Sequence, residues 1–105
     1  MAIYELRTYN VKPEAAADVV ALYHAEGWPE LQKWKQNLIG YFITDIGPLH
    51  QIVHLWKFEN HEARDHQWAT LRAAPAFAAF GRKIRPMLHS QENKIMKAAP
   101  WSPQP

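Results

Sequence analysis

The sequence contains no cysteine and only four glycines among its 105 residues. Without thiols the chain cannot form disulfides, use a thiolate nucleophile or bind zinc or iron–sulfur clusters through sulfur. None of the glycines lies in a phosphate-binding run, which excludes a P-loop and a dinucleotide-binding fingerprint. The serines are Ser90 and Ser102, and neither lies in a Gly-x-Ser-x-Gly elbow, so hydrolases built on that motif are excluded as well.

A strong excess of one charge and long apolar runs are also absent. Lysine and arginine number 12 against 10 acidic residues, and the basic residues are dispersed. We therefore expect no nucleic-acid partner, and we interpret the basic residues in 82–85 as a solvated helix end. No apolar run approaches the roughly 18 residues of a membrane span, and the amino terminus has no signal-peptide pattern. We expect a soluble, cytoplasmic protein without membrane contact.

The length predicts one small domain. A chain of this size buries roughly 65% of the surface that its unfolded form exposes, which leaves little interior for an enclosed cavity. We therefore expect no deep site within a single copy.

What is present is an alternation of β-like and helix-like segments. β-formers are concentrated in residues 3–11, 38–46, 49–58 and 87–96. Apolar spacing, prolines and an Asn60 cap predict helices in 13–27, from Pro29, and on both sides of Pro75. This order predicts an α+β ferredoxin-like sandwich with a four-stranded antiparallel sheet. We assign the domain to residues 1–97 and an irregular, proline-rich tail to 98–105.

The hairpin between the second and third strands decides which residues share a sheet face. A two-residue turn at Gly47-Pro48 places Tyr41 opposite His54 and Ile43 opposite Ile52. One face then has a mixed character, with Glu5, Arg7, Tyr9, Tyr41, Ile43, Asp45, His50, Ile52, His54 and Trp56. The other face, which we call the smoother face, has no charged side chain in this set and contains Leu6, Phe42, Thr44, Val53 and Leu55. We predict that helices cover the smoother face and that a second subunit covers the mixed one.

The six histidines do not form a local metal site. His61 and His66 are five residues apart, so on a helix their rings point about 140° apart. His50 and His54 share a strand face, but they lie about 13 Å apart at roughly 3.3 Å per residue. We therefore predict neither a metal nor a cofactor.

A polar cluster is the remaining candidate site. Arg7, Tyr9, Asp45 and His54 share the mixed face with the polar centre of the fourth strand. An arginine and a carboxylate beside an imidazole are suited to holding an anionic substrate and tuning the histidine. The same residues are also suited to a hydrogen-bonded network that locks a dimer, an interpretation that we slightly favour, and the sequence leaves both open.

Four ordered motifs resemble the NIPSNAP family over residues 3–97. They are Ile3-Tyr4-Glu5-Leu6-Arg7-Thr8-Tyr9 with Val11-Lys12-Pro13, Gly40-Tyr41-Phe42 to Asp45-Ile46-Gly47, Gln51-Ile52-Val53-His54-Leu55-Trp56, and Ser90-Gln91-Glu92-Asn93. The resemblance implies a dimeric α+β barrel in which two sheets enclose a shared interior. It supplies no accepted catalytic set.

Two function classes follow. The first is a homodimeric module that binds a small apolar or aromatic molecule within the barrel. The second, implied by the wider barrel superfamily, is a cofactor-independent monooxygenase-like enzyme acting on an aromatic substrate. For the enzyme, His54 is the candidate acid/base and Arg7 the anion holder. The candidate ligand-binding residues are Tyr9, Tyr41, Asp45, Trp56, Gln91 and Asn93. A membrane-associated adaptor ranks last, because the chain has no basic amphipathic anchor.

Overall fold

The computed structural model describes residues 1–103 and has the β, α, β, β, α, β order expected from the sequence. The strands are β1 (Ile3–Val11), β2 (Leu38–Ile43), β3 (Gln51–Phe58) and β4 (Leu88–Met96). The α-helices are α1 (Ala16–Leu22), α2 (Trp28–Leu31), α3 (His61–Ala73) and α4 (Pro75–Ile84). A π-helical turn, Tyr23–Gly27, joins α1 to α2, and short 3-10 turns cover Pro13–Ala15, Gln32–Asn37 and Arg85–Met87.

The four strands form one antiparallel sheet in the order β2-β3-β1-β4. The central pair is therefore the first and third strands, as in ferredoxin-like folds. The α+β class and the four-stranded sheet are confirmed.

The hairpin register is confirmed, whereas its turn is not. Tyr41 pairs with His54 and Ile43 with Ile52. However, the predicted two-residue turn is wrong, because β2 ends at Ile43 and β3 begins at Gln51. The loop between them contains Gly47 at φ 113° and His50 at φ 62°, and this left-handed backbone interrupts the ladder earlier than the apolar pattern indicates.

The boundaries of α3 and α4 follow from local chemistry. The side chain of Asn60 caps α3 by accepting a hydrogen bond from the Ala63 amide at 2.8 Å. Ala74 is extended (φ −73°, ψ 123°) because the next residue is Pro75, and it separates the two helices. Both the cap and the break were predicted.

The assignment of sheet faces was wrong. In β3 the buried residues alternate with half-buried ones, and the buried set is Ile52, His54, Trp56 and Phe58. These residues belong to the mixed face and pack with the helices, whereas the smoother residues Leu6, Val53 and Leu55 lie on the face that no helix covers. Alternation identifies two faces but does not reveal which one the helices cover. The mixed face tolerates helix packing because α3 supplies partners for its charge and its large aromatic rings fill the space between layers.

Two apolar clusters fill the space between the sheet and the helices. One contains Tyr9, Val11, Ala15, Val19, Ile52, Phe80 and Ile84. The other contains Ile3, Leu31, Trp56, Phe58, Trp68 and Leu71. The polar residues of the mixed face lie where these two clusters meet.

After β4 the described residues form no further helix or strand. Residues from Lys97 to Pro103 lie beside Tyr4 and Leu55, at one end of the uncovered sheet face. Gln104 and Pro105, which complete the predicted tail, lie outside the described residues. Within 1–103 no helix has the length and apolar character needed to cross a membrane.

Candidate functional site

A cavity of about 190 Å³ lies between the sheet and the helical layer of a single chain. Its polar lining residues are Arg7, Tyr9, Tyr23, Tyr41, His54, Arg72, Arg85 and Gln91. Its apolar wall includes Leu31, Trp68, Phe77, Phe80, Ile84 and Leu88. One copy therefore has a partly open cavity of this size, although the chain length predicts little interior space.

His54 is held in one orientation on β3. Its Nδ1 accepts a hydrogen bond from the indole N–H of Trp56 at 2.6 Å, and its ring stacks on Tyr41 with centroids 4.2 Å apart. Because Nδ1 is an acceptor, the neutral imidazole carries its proton on Nε2. That Nε2 is buried and has no hydrogen-bond partner within residues 1–103. The ring is therefore fixed, and its Nε2–H is a buried, unused donor in a residue that lines the cavity.

Burial lowers the pKa of His54 well below its usual value, and the positive charge of Arg7 lowers it further. The imidazole is therefore neutral at pH 7. A neutral ring of low basicity is a good hydrogen-bond donor and a poor proton acceptor.

Three tyrosines bring hydroxyl groups to the cavity. Tyr23 forms side-chain hydrogen bonds with Tyr9 and Tyr41, and the Nε of Arg7 donates to the Tyr9 hydroxyl at 3.0 Å. Burial raises the pKa of Tyr9, Tyr23 and Tyr41. All three are therefore neutral phenols that donate and accept hydrogen bonds.

A buried carboxylate orients Arg7. Glu5 is fully buried and accepts from Arg7 at 3.1 Å, from Arg64 at 3.0 Å through each oxygen, and from the Trp68 indole at 2.8 Å. Burial alone would raise the pKa of Glu5, but these donors and the arginine charges reverse the effect and lower it. The Arg7 guanidinium also lies 4.4 Å from the centre of the Trp68 ring. Arg7 is thus fixed between Glu5, Trp68 and Tyr9.

The structure brings together part of the predicted site. Arg7, Tyr9, Tyr41, His54 and Gln91 line the cavity. Trp56 lies behind His54 as its hydrogen-bond donor. Asn93 lies opposite Arg7 on β4 and accepts from Gln91 at 3.2 Å, outside the cavity wall.

Asp45 does not belong to this group. It was predicted as a continuation of β2, but it is exposed in the loop after Ile43. The early end of the strand removes it from the sheet face, so the carboxylate near Arg7 is Glu5 instead.

Several site residues were missed by sequence reasoning. Tyr23 reaches the cavity because the π-helical turn begins at this residue, and such turns are frequent at functional sites. Arg64 and Trp68 are four residues apart on α3 and therefore share a face, which is a signal that the sequence does contain. Nothing in the sequence indicates that this face of α3 meets Glu5.

A second, apolar cavity of about 220 Å³ adjoins the first. It shares Tyr23, Leu31 and Tyr41 with the first and is otherwise lined by Val20, His24, Trp28, Phe42, Ile43 and Ile52. Tyr23 and Tyr41 therefore form a wall between the two. Within the described part of the chain, no group of three histidine, aspartate or glutamate side chains is placed to hold a metal ion.

Solved structures show the same fold. A NIPSNAP family protein from Agrobacterium tumefaciens superimposes with a TM-score of 0.90 at 31% identity, covering 98% of each chain. An uncharacterized NIPSNAP-like domain protein from Burkholderia xenovorans gives 0.87 at 39% identity, covering 98% of this chain and 90% of that one. An antibiotic biosynthesis monooxygenase gives 0.67 at 19% identity, with 93% of this chain and 99% of that chain covered, a likeness of fold alone.

Sequence comparison agrees with the structural one. Protein NipSnap homolog from Dictyostelium discoideum is 32% identical over 94 residues, which cover 90% of this chain and 41% of that protein. Protein NipSnap homolog 2 from Mus musculus is 30% identical over 99 residues, covering 90% of this chain and 35% of that protein. This chain thus spans well under half of these relatives. Residues 4–103 match the family described as NIPSNAP, and the chain therefore belongs to the NIPSNAP family.

Proposed function

We propose that the protein binds a small aromatic or apolar molecule in the cavity that contains His54. The observation that carries this proposal is the buried Nε2 of His54, which lacks a partner within residues 1–103 although the ring lines a cavity. An unsatisfied buried donor costs about 1–3 kcal/mol. A ligand with an acceptor oxygen that reaches Nε2 would recover this free energy on binding.

The size and lining of the cavity define the ligand. An apolar cavity of about 150 Å³ accommodates one benzene ring, and this cavity measures about 190 Å³. A single ring with a small polar substituent therefore fits. The walls formed by Phe77, Phe80, Tyr9 and Tyr41 supply apolar contact for the ring.

Binding is favoured over acid–base catalysis. The lowered pKa of His54 makes it a weak base, and the raised tyrosine pKa values leave no phenolate near it at pH 7. A cofactor-independent monooxygenase-like reaction is the second candidate, because Arg7 and three phenols near His54 are suited to stabilising an oxyanion.

Benzamide, a single ring with one carbonyl acceptor, is a direct probe of this site. We expect it to shift the amide NMR signals of cavity residues, and we expect His54→Phe to weaken its affinity about fivefold, the value of one neutral hydrogen bond. Phenylalanine keeps a ring stacked on Tyr41 but removes the N–H, together with the Nδ1 acceptor of the Trp56 indole, so its folding is checked separately.

His61→Phe is the matched control, because His61 is exposed at the start of α3 and does not line the cavity. Circular dichroism checks that each variant is folded. Equal benzamide affinity in both variants, or signals confined to residues outside the cavity, would contradict the proposal.

We also propose that two copies associate through the uncovered sheet face. Leu6, Val53 and Leu55 are half-buried apolar side chains at the centre of this face, and Phe42 at its edge is 57% exposed. Towards β4 the face becomes polar, with Glu92 beside Thr8 and Lys94 beside Leu6. An apolar patch with a polar rim is typical of a protein–protein contact, and a second copy offers a self-complementary surface.

Light scattering during gel filtration tests this association. We expect a mass of two 12.2 kDa chains at micromolar concentration, and we expect Leu55→Glu to shift the population toward the monomer. Val20→Glu, on the helical side of the sheet, is the control and should leave the mass unchanged. A wild-type mass of one chain would reject the dimer.

A further inference from the structure

The charges around the cavity point to a narrower ligand class. Arg7, Arg72 and Arg85 line the cavity, and its lining contains no aspartate or glutamate. Arg7 is neutralised by Glu5 at 3.1 Å. Arg72 and Arg85 have no ion pair within residues 1–103, so the positive charge of these two residues is uncompensated in the folded chain.

The two arginines are exposed members of the cavity lining. Arg72 is exposed in the last turn of α3, and Arg85 is exposed immediately after α4. His54, in contrast, is 1% exposed. The exposed part of the cavity lining, which we call the mouth, therefore carries the uncompensated positive charge, whereas His54 belongs to the buried part of the lining.

Their placement also has a structural explanation, since arginines near helix C-termini interact favourably with the last carbonyl groups. The Nε of Arg85 indeed donates to the Gly81 carbonyl at 3.2 Å. This bond leaves the terminal guanidinium nitrogens available, and planar guanidinium groups match the two oxygens of a carboxylate.

We propose that the ligand is a small aromatic carboxylate, with its ring between the aromatic walls and its carboxylate at Arg72 and Arg85. This inference rests on the proposed function, because it places the ligand in the same cavity. The arginines at the mouth select the charge of the ligand, whereas His54 offers a hydrogen bond to a further oxygen at the inner end.

Benzoate and benzamide have nearly the same shape but differ in charge. A difference between their affinities therefore reports the effect of the ligand's charge. At pH 7 and low salt we expect benzoate to bind about tenfold more tightly than benzamide, since hydrogen bonds to charged groups are stronger than neutral ones. Added salt should reduce this advantage, because Arg72 and Arg85 are exposed. The double substitution Arg72→Gln with Arg85→Gln should remove it.

Arg82→Gln is the matched control, because Arg82 is exposed on α4 and does not line the cavity. If benzoate and benzamide bind equally and both depend on His54, the carboxylate assignment is wrong while the proposed function stands. If neither probe binds, both are wrong. Equal competition by inorganic phosphate and benzoate would identify a plain anion site and overturn the aromatic assignment.

Discussion

Replacing Glu5 with glutamine is expected to lower the free energy of unfolding by about 3–5 kcal/mol, the usual cost of breaking a buried ion pair from one side. Glu5 is fully buried and accepts from Arg7, Arg64 and Trp68. Glutamine keeps the shape but removes the charge, and its NH₂ group faces donors. The two guanidinium groups would then share a poorly hydrated space without a counterion. Urea unfolding followed by circular dichroism measures the change.

Asp65→Asn is the control for this substitution. Asp65 also pairs with Arg64, at 3.1 Å, but its side chain is 72% exposed. Surface pairs contribute about 0–1 kcal/mol, so this variant should remain close to the wild type. Equal effects of the two substitutions would show that Glu5 is not the centre of the network.

The same network predicts how stability depends on pH. The pKa of Glu5 is lower in the folded chain than in the unfolded one, so its contribution is complete above the unfolded value of about 4.3. As the pH falls from there through the folded pKa, the unfolded chain binds the proton first and the contribution is lost. We expect the wild type to lose more stability than Glu5→Gln over this acid range, so that the difference between them narrows.

Replacing Gly27 with alanine is expected to destabilise the chain by about 1–3 kcal/mol through overpacking. A Cβ at this position would lie 2.7 Å from the tip of the Phe80 ring. Phe80 is 3% exposed and packs edge-on against Tyr23 with centroids 4.9 Å apart, so the ring cannot move aside freely. The backbone of Gly27 is helical (φ −76°, ψ −50°), and strain in φ is therefore not the cause. Thermal unfolding measures the loss.

Gly40→Ala gives a matched comparison with the opposite expectation. The added Cβ would lie 2.4 Å from the Phe42 ring, which is a closer approach than at Gly27. Phe42 is 57% exposed in the single chain, however, and its ring can swing into solvent when both glycine variants are compared in the Leu55→Glu background, which favours the monomer. We expect a change within about 0.5 kcal/mol, as for ordinary surface substitutions. If Gly40→Ala were the more damaging variant, steric distance rather than ring mobility would control the cost.

The sequence predicts the strands and their pairing better than it predicts where the strands end. The bounds of β1 and the pairing of Tyr41 with His54 follow from strand alternation, because a period of two is a strong local signal. The end of β2 was missed, because the positive φ of His50 is a property of the loop that no apolar pattern reveals.

The sequence likewise predicts some residues of the candidate site but not the contacts that hold them. Arg7, Tyr9 and His54 were grouped because they share one sheet face, and they do line one cavity. Which layer covers that face depends on how α3 and α4 pack, and this packing brings Arg64 to Glu5 across 59 sequence positions. Long-range contacts of this kind depend on helix orientation, which residue spacing alone does not define.

The polar character of β4 has a consequence for solubility. This strand lies at one end of the sheet order, so one side of its backbone has no neighbouring strand among residues 1–103, and most of its side chains are exposed. Free edges of long strands promote edge-to-edge aggregation, and charged side chains, lysine above all, are a common protection against it. Glu92 and Lys94 lie in the middle of this edge. The least hydrophobic of the four strands thus protects one of the two sheet edges, whereas β2, with exposed Phe42 and Ile43, leaves the other edge without this protection.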